Sequence, residues 1–200
     1  LLFLLLFFSF VIILNLPNQS QMLCLKLALV SLPSILIYPS AKRWFNYPQA
    51  ILAFCWGFAV LIPWAASQSN LNGGLPLLCA WISTMLWTFG FDTIYAMSDK
   101  EDDEKLGLRS SALSLKDNVL KAVSISYLSS CLFIAIAAYF SNINMTFWPF
   151  WLASSLGMQI SLLKLNKSKN SNKSSYTNHF NSQVWLGALI FLGLVVGRFY

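Results

Sequence analysis

Seven apolar stretches, at 1–14, 22–38, 48–66, 75–95, 119–140, 147–163 and 184–199, leave this 200-residue chain little to become except a set of membrane-spanning helices. A bilayer core holds no water to satisfy backbone N–H and C=O groups, so each crossing segment must bond within itself. The expected class is therefore all-α, a multi-pass transmembrane bundle with seven helices. Composition agrees, because only 10% of the residues are charged, against about a quarter in soluble domains. The net charge of +6 is read as cytoplasmic loops and anionic lipid head groups, with no role for nucleic acid.

Charge fixes the expected topology. The connectors 15–21, 67–74 and 141–146 carry none. The alternate connectors hold Lys42 and Arg43, then Lys100, Lys105, Arg109 and Lys116, then Lys164, Lys167, Lys169 and Lys173. By the positive-inside rule these loops face the cytoplasm. The first stretch has 14 residues, with no Met and no basic start, fewer than the ~20 a spanning helix needs. The chain is expected to begin inside a spanning helix of a longer protein. Its N-terminus is expected on the cytoplasmic side and its C-terminus on the other.

The stretch 164–182, rich in Lys, Ser and Asn, is expected to be a solvated, mobile loop, weakly drawn to anionic lipid. His179, the single histidine, is expected to be solvated within it. The four cysteines are scattered without a CxxC pair and are read as small hydrophobes. Gly193 and Gly197 fit a helix-packing pattern.

All seven acids lie between Asp92 and Asp117. On one helix Asp92, Tyr95, Asp99 and Asp103 would share a face, with Asp102 at its border. Carboxylates one turn apart suit Mg2+, which takes one or two of them together with water and phosphate oxygens. Lys100, Lys105 and Arg109 are placed to hold further phosphate charge, and Lys42 with Arg43 to clamp an anion on the same membrane side. Two plainer readings stand beside these. The acidic run also suits a solvated loop of i,i+4 ion pairs, and the basic pair suits a topology signal. Asp92 favours a site, since a carboxylate within an apolar segment costs about 2.5–3.5 kcal/mol and usually faces the bundle interior.

The stretch from Asp92 through Tyr95, Asp99, Asp103 and Gly107 to Ser110 resembles the second aspartate-rich motif of the UbiA superfamily of intramembrane aromatic prenyltransferases. Its wording is closest to the 4-hydroxybenzoate polyprenyltransferases. The runs Tyr38 to Gln49, Gly57 to Pro63 and His179 to Gly187 resemble further parts of the same family. The resemblance implies a nine-helix bundle, of which seven are present, with its active site at the cytoplasmic face of a bacterial inner membrane or its equivalent. It implies a polyprenyl diphosphate donor held through Mg2+, and a small aromatic acceptor. Asp99 and Asp103 match metal ligands, with Asp102 beside them. Lys42 and Arg43 match diphosphate-holding residues, and Lys105, Arg109 and Asn181 complete the expected substrate-binding set. Asp92 and Tyr95 match polar residues that line the pocket. The family's first motif, of the type NDxxDxxxD, is absent from these residues and is expected before residue 1 with two further helices. Two alternatives remain at this point: a non-catalytic remnant, and a cation transporter or channel using the Asp92–Asp103 stripe. A CDP-alcohol phosphotransferase is disfavoured, because no DGxxAR-like element is present.

Overall fold

The computed structural model describes residues 2–167 and 173–199, and no strand occurs among them. In chain order the helices are α1 (Leu2–Leu14), α2 (Asn18–Ala41), α3 (Pro48–Gln68), α4 (Gly74–Ala96), the short α5 (Lys100–Lys105) and α6 (Ser111–Leu115), α7 (Val119–Phe140), α8 (Trp148–Lys167) and α9 (Lys173–Phe199). The seven long helices match the seven apolar stretches. Among the described residues five spans are long and apolar enough to cross a membrane: Asn18–Ala41, Pro48–Gln68, Gly74–Lys105, Ser111–Phe140 and Lys173–Phe199. The protein is an integral, multi-pass membrane protein of the all-α class.

α8 lies outside that set of five, because Ser154, Ser155, Gln159 and Ser161 dilute its apolarity. None of these four is left to the lipid. Ser154 Oγ donates to Leu186 O, Ser155 Oγ to Trp151 O, and Ser124 Oγ to Gln159 Oε1, while Ser161 Oγ bonds His179 Nδ1.

α4 is the hub, packed along α7, α3 and α9. α7, α8 and α9 close a ring with it, while α3, α2 and α1 continue outward as an arc. One core cluster fills the ring with Ile94, Val119, Val123, Tyr127, Cys131 and Met158 among its members, and a smaller one joins Cys24 and Leu27 to Phe58 and Ala65. Lipid tails are as apolar as leucine, so helices in a bilayer associate through close packing and polar cross-links rather than the hydrophobic effect. Both devices occur on the α4–α7 seam. Ser83 Oγ donates to Ser130 O at 2.8 Å and Ser130 Oγ to Ser83 O at 2.9 Å. Gly90 lets the fully buried ring of Tyr127 lie against the α4 backbone; a Cβ there would stand 2.4 Å from Tyr127 Cε1. Gly90→Ala is therefore expected to destabilise the protein by about 1–3 kcal/mol, read as a lower Tm in detergent. An unchanged Tm would mean that the tyrosine moves aside freely. Gly193 and Gly197 make similar close approaches to Phe150 and Ile143.

Two expectations fail at the α8–α9 connection. Within the stretch 164–182, residues 164–167 end α8 and residues 173–182 form the first turns of α9, so its described residues are helical and not a loop. Lys169, with the rest of 168–172, lies outside the described residues. The stretch contains no Gly or Pro, and its Ser, Asn, Thr and Lys are acceptable helix residues, so polarity alone mimicked a loop. Nor is His179 solvated. It is 3% exposed, with Nε2 2.9 Å from Tyr127 Oη and Nδ1 2.6 Å from Ser161 Oγ.

Candidate functional site

The acidic stripe does not ride on one continuous α-helix. α4 stops at Ala96, a 3-10 turn covers Met97–Asp99, and α5 resumes at Lys100. This places neighbouring acids on different sides. Asp103 is turned inward and only 4% exposed, with both carboxylate oxygens 3.0 Å from Lys42 Nζ. Asp102 faces out and accepts from Lys173 Nζ at 3.1 Å, an exposed pair. Asp99 is partly buried and takes Ser98 Oγ on its Oδ1 at 3.2 Å, within electrostatic reach of Lys173. Asp92, also partly buried, lies within electrostatic reach of Lys42 and of Tyr38. Tyr95 makes no hydrogen bond to Asp92 among the described residues. Its ring packs on Phe180 of α9, centroids 5.2 Å apart.

Of the expected basic residues, Lys42 alone reaches a candidate metal ligand of the stripe. Arg43, Lys105 and Asn181 are exposed. Arg109 is bonded to the connector after α2. Its Nη1 donates to Trp44 O at 2.7 Å and to Asn46 Oδ1 at 3.1 Å, and its N–H to Lys42 O at 2.7 Å. These bonds clasp the connector after α2 to the one after α5. Ser114 Oγ adds a bond to Asn46 O. Behind it Ser111 donates twice to Gln49 Oε1, at 2.8 and 2.9 Å, and Thr93 Oγ1 lies 2.7 Å from Ser111 Oγ. The clasp holds the Lys42 backbone where its ammonium meets Asp103.

Gln49, Thr93 and Ser111, all at most 2% exposed, escape sequence reasoning because no spacing rule links them. One local signal was readable. Gly107 has φ +65°, and it follows α5 as a helix-ending glycine does. Leu108 N donates to Asp103 O and Gly107 N to Glu104 O, the paired bonds of that terminus, so the turn that reverses the chain also fixes the Asp103 backbone.

Among the described residues no three or more His, Cys, Asp or Glu gather closely enough to hold a metal by themselves. The donors of the acidic stripe are carboxylates, which suit a hard cation. Asp103 already satisfies both oxygens with a cationic group despite its burial. Carboxylates that form no cage of their own suit only a cation that draws the rest of its coordination from water and substrate oxygens, as Mg2+ does.

Comparison with known proteins gives a consistent result. The 4-hydroxybenzoate solanesyltransferase of Synechocystis sp. is 37% identical over 174 residues, 86% of this chain and 58% of that protein. The mitochondrial 4-hydroxybenzoate polyprenyltransferase of Arabidopsis thaliana is 32% identical over 189 residues, 94% of this chain and 44% of that protein. The 4-hydroxybenzoate octaprenyltransferase of Polynucleobacter asymbioticus is 33% identical over 175 residues, 86% of this chain and 58% of that protein. The chain therefore spans between 44% and 58% of the length of these relatives. A solved structure of a digeranylgeranylglyceryl phosphate synthase superposes with TM-score 0.69 at 14% identity, covering 87% of this chain and 61% of that one, and so shares the fold. The profile of the UbiA prenyltransferase family matches residues 1–187. With that match over almost its whole length, the chain belongs to the UbiA prenyltransferase family.

Proposed function

We propose that the protein transfers a polyprenyl group from polyprenyl diphosphate to an aromatic acceptor, 4-hydroxybenzoate, in prenylquinone biosynthesis such as that of ubiquinone. The observation that carries this reading is the inward-turned Asp103 with its Lys42 partner, set within an aspartate-rich stretch at the charged end of the bundle. The names of the relatives supply the donor and acceptor classes. The charged end is taken as the cytoplasmic face.

In this reading Asp99 and Asp103 hold Mg2+, with Asp102 at the rim. Bound there, Mg2+ supplies a Lewis acid for the negative charge of the diphosphate. Lys42, at the inner end of the clasp, adds a positive charge aimed at the same group, and the exposed Arg43 and Lys105 draw the anion toward the mouth. Arg109 keeps the clasp closed. The allylic C–O bond breaks with its electron pair leaving on diphosphate. The ring carbon ortho to the phenol oxygen then forms the new C–C bond and loses its proton. Asp92, Tyr95 and Asn181 line the approach. The reaction requires that water be kept from the allylic cation, which it would otherwise capture.

The companion motif NDxxDxxxD is not among these residues, so the test uses the complete protein as its gene encodes it. In liposomes supplied with a polyprenyl diphosphate and 4-hydroxybenzoate, prenylated acid is expected to accumulate. EDTA is expected to reduce it to background, and added Mg2+ to restore it. Turnover indifferent to EDTA would remove the metal from the reading. Transfer to no phenolic acid would remove the acceptor class.

A further inference from the structure

A groove of about 530 Å3 runs between α8 and α9, lined by none of the aspartates. The two helices are antiparallel. Ser161 meets His179, and a Cβ on Gly157 would meet Leu186. The lining therefore changes character along the groove. Lys164 and Asn178 stand at the charged end of the bundle, Ser182 follows, and Gly157, Ile160 and Trp185 form the deeper part. Lys164 and Gly157 are separated by roughly 10 Å along the helix axis.

Two observations limit what fits. The first is charge. Among the described residues Lys164 is the one charged residue of the lining; the sequence after it adds Lys167 and Lys169, while Lys173 is already paired with Asp102. The second is the wall itself. Ser182 Oγ donates to His179 O at 2.6 Å and lies 3.2 Å from Ser161 Oγ, so these hydroxyls are held in the wall by the buried histidine rather than filling the space. Trp185 beside them is 77% exposed. A soluble anion would use only the lysine end, and a hydrocarbon only the deep end. A molecule with an anionic head and an apolar tail uses both, and basic clefts between spanning helices near the membrane surface are where such lipid head groups bind.

We propose that the α8–α9 groove binds an anionic glycerophospholipid, its phosphate at Lys164 and an acyl chain along Gly157, Ile160 and Trp185. The site is separate from the aspartates and stands whether or not the protein transfers prenyl groups.

The test is native mass spectrometry of the complete protein, released from detergent after titration with phosphatidylglycerol or phosphatidylcholine of identical acyl chains. Phosphatidylglycerol is expected to be retained about fivefold better, the effect of one lysine near a head group. Lys164→Gln is expected to erase that preference. Lys121→Gln, which removes an exposed cation from α7, is expected to keep it. Trp185→Ala, at an exposed position, is expected to lower retention of both lipids together. Three results would overturn the proposal: equal retention of the two lipids, a preference that survives Lys164→Gln, or displacement of phosphatidylglycerol by inorganic phosphate at the lipid's own concentration.

Discussion

Asp103→Ala is expected to lower prenyl transfer by at least about a hundredfold while leaving the protein folded. Removing this carboxylate takes away a buried anion, and its partner has somewhere to go. The Lys42 side chain is 33% exposed, against 6% for that of Asp103, so its ammonium can turn to water. The reverse substitution behaves differently. Lys42→Met leaves the Asp103 carboxylate buried without a counter-charge and is expected to cost about 2–3 kcal/mol of stability. That is at or below the ~3–5 kcal/mol seen when a fully buried pair is broken. Asp99→Ala is expected to match Asp103→Ala in activity. Asp102→Ala, on the exposed side with Lys173, is expected to lose less than about tenfold. Turnover in liposomes, set beside Tm in detergent, separates these cases. Wild-type turnover by Asp103→Ala would end its assignment as a ligand.

The second large effect lies away from the aspartates. His179→Ala is expected to destabilise the bundle by about 3–5 kcal/mol. It removes a ring that packs parallel to Tyr127, and it deprives the 0% exposed tyrosine of its hydroxyl partner. An unpaired buried hydroxyl costs about 1–3 kcal/mol, and the vacated space adds the rest. Tyr127→Phe, which deletes the other member, is expected to cost only about 1 kcal/mol. In the double variant His179→Ala with Tyr127→Phe, the loss should be smaller than the sum of the two single losses, because no orphaned hydroxyl remains on the tyrosine. Thermal unfolding of the four proteins forms a double-mutant cycle. Additive losses would show that the two side chains do not depend on each other.

Hydropathy marks contact with lipid, and where a helix meets lipid along its whole length the sequence shows its limits well. The apolar stretch 119–140 coincides with Val119–Phe140, and 48–66 is extended by one short step to Pro48–Gln68. α9 breaks the rule because one side of its first turns faces protein. His179 and Gln183 are buried there, and Gln183 accepts the Trp87 indole N–H at 3.0 Å. Polar residues inside a bundle look like a loop until their partners on other helices are known. The aspartate site divides in the same way. Its acids and its basic pair stand out in the sequence because charge is scarce. The bond between Lys42 and Asp103 does not, since the two are 61 residues apart. Arg109 stands out by its charge, but its bonds to the carbonyl of Trp44 and the side-chain oxygen of Asn46 could not be read from that charge.

Asp102 and Asp103 sit side by side in the chain yet answer to different lysines. Adding or deleting a single residue between Ala96 and Asp102 would rotate everything after it by about 100°, handing the inward position to the wrong neighbour. Exchanging an outward side chain such as Glu101 or Glu104 leaves that phase untouched. The stretch behaves as a measured spacer, in which length carries information that the outward residues do not.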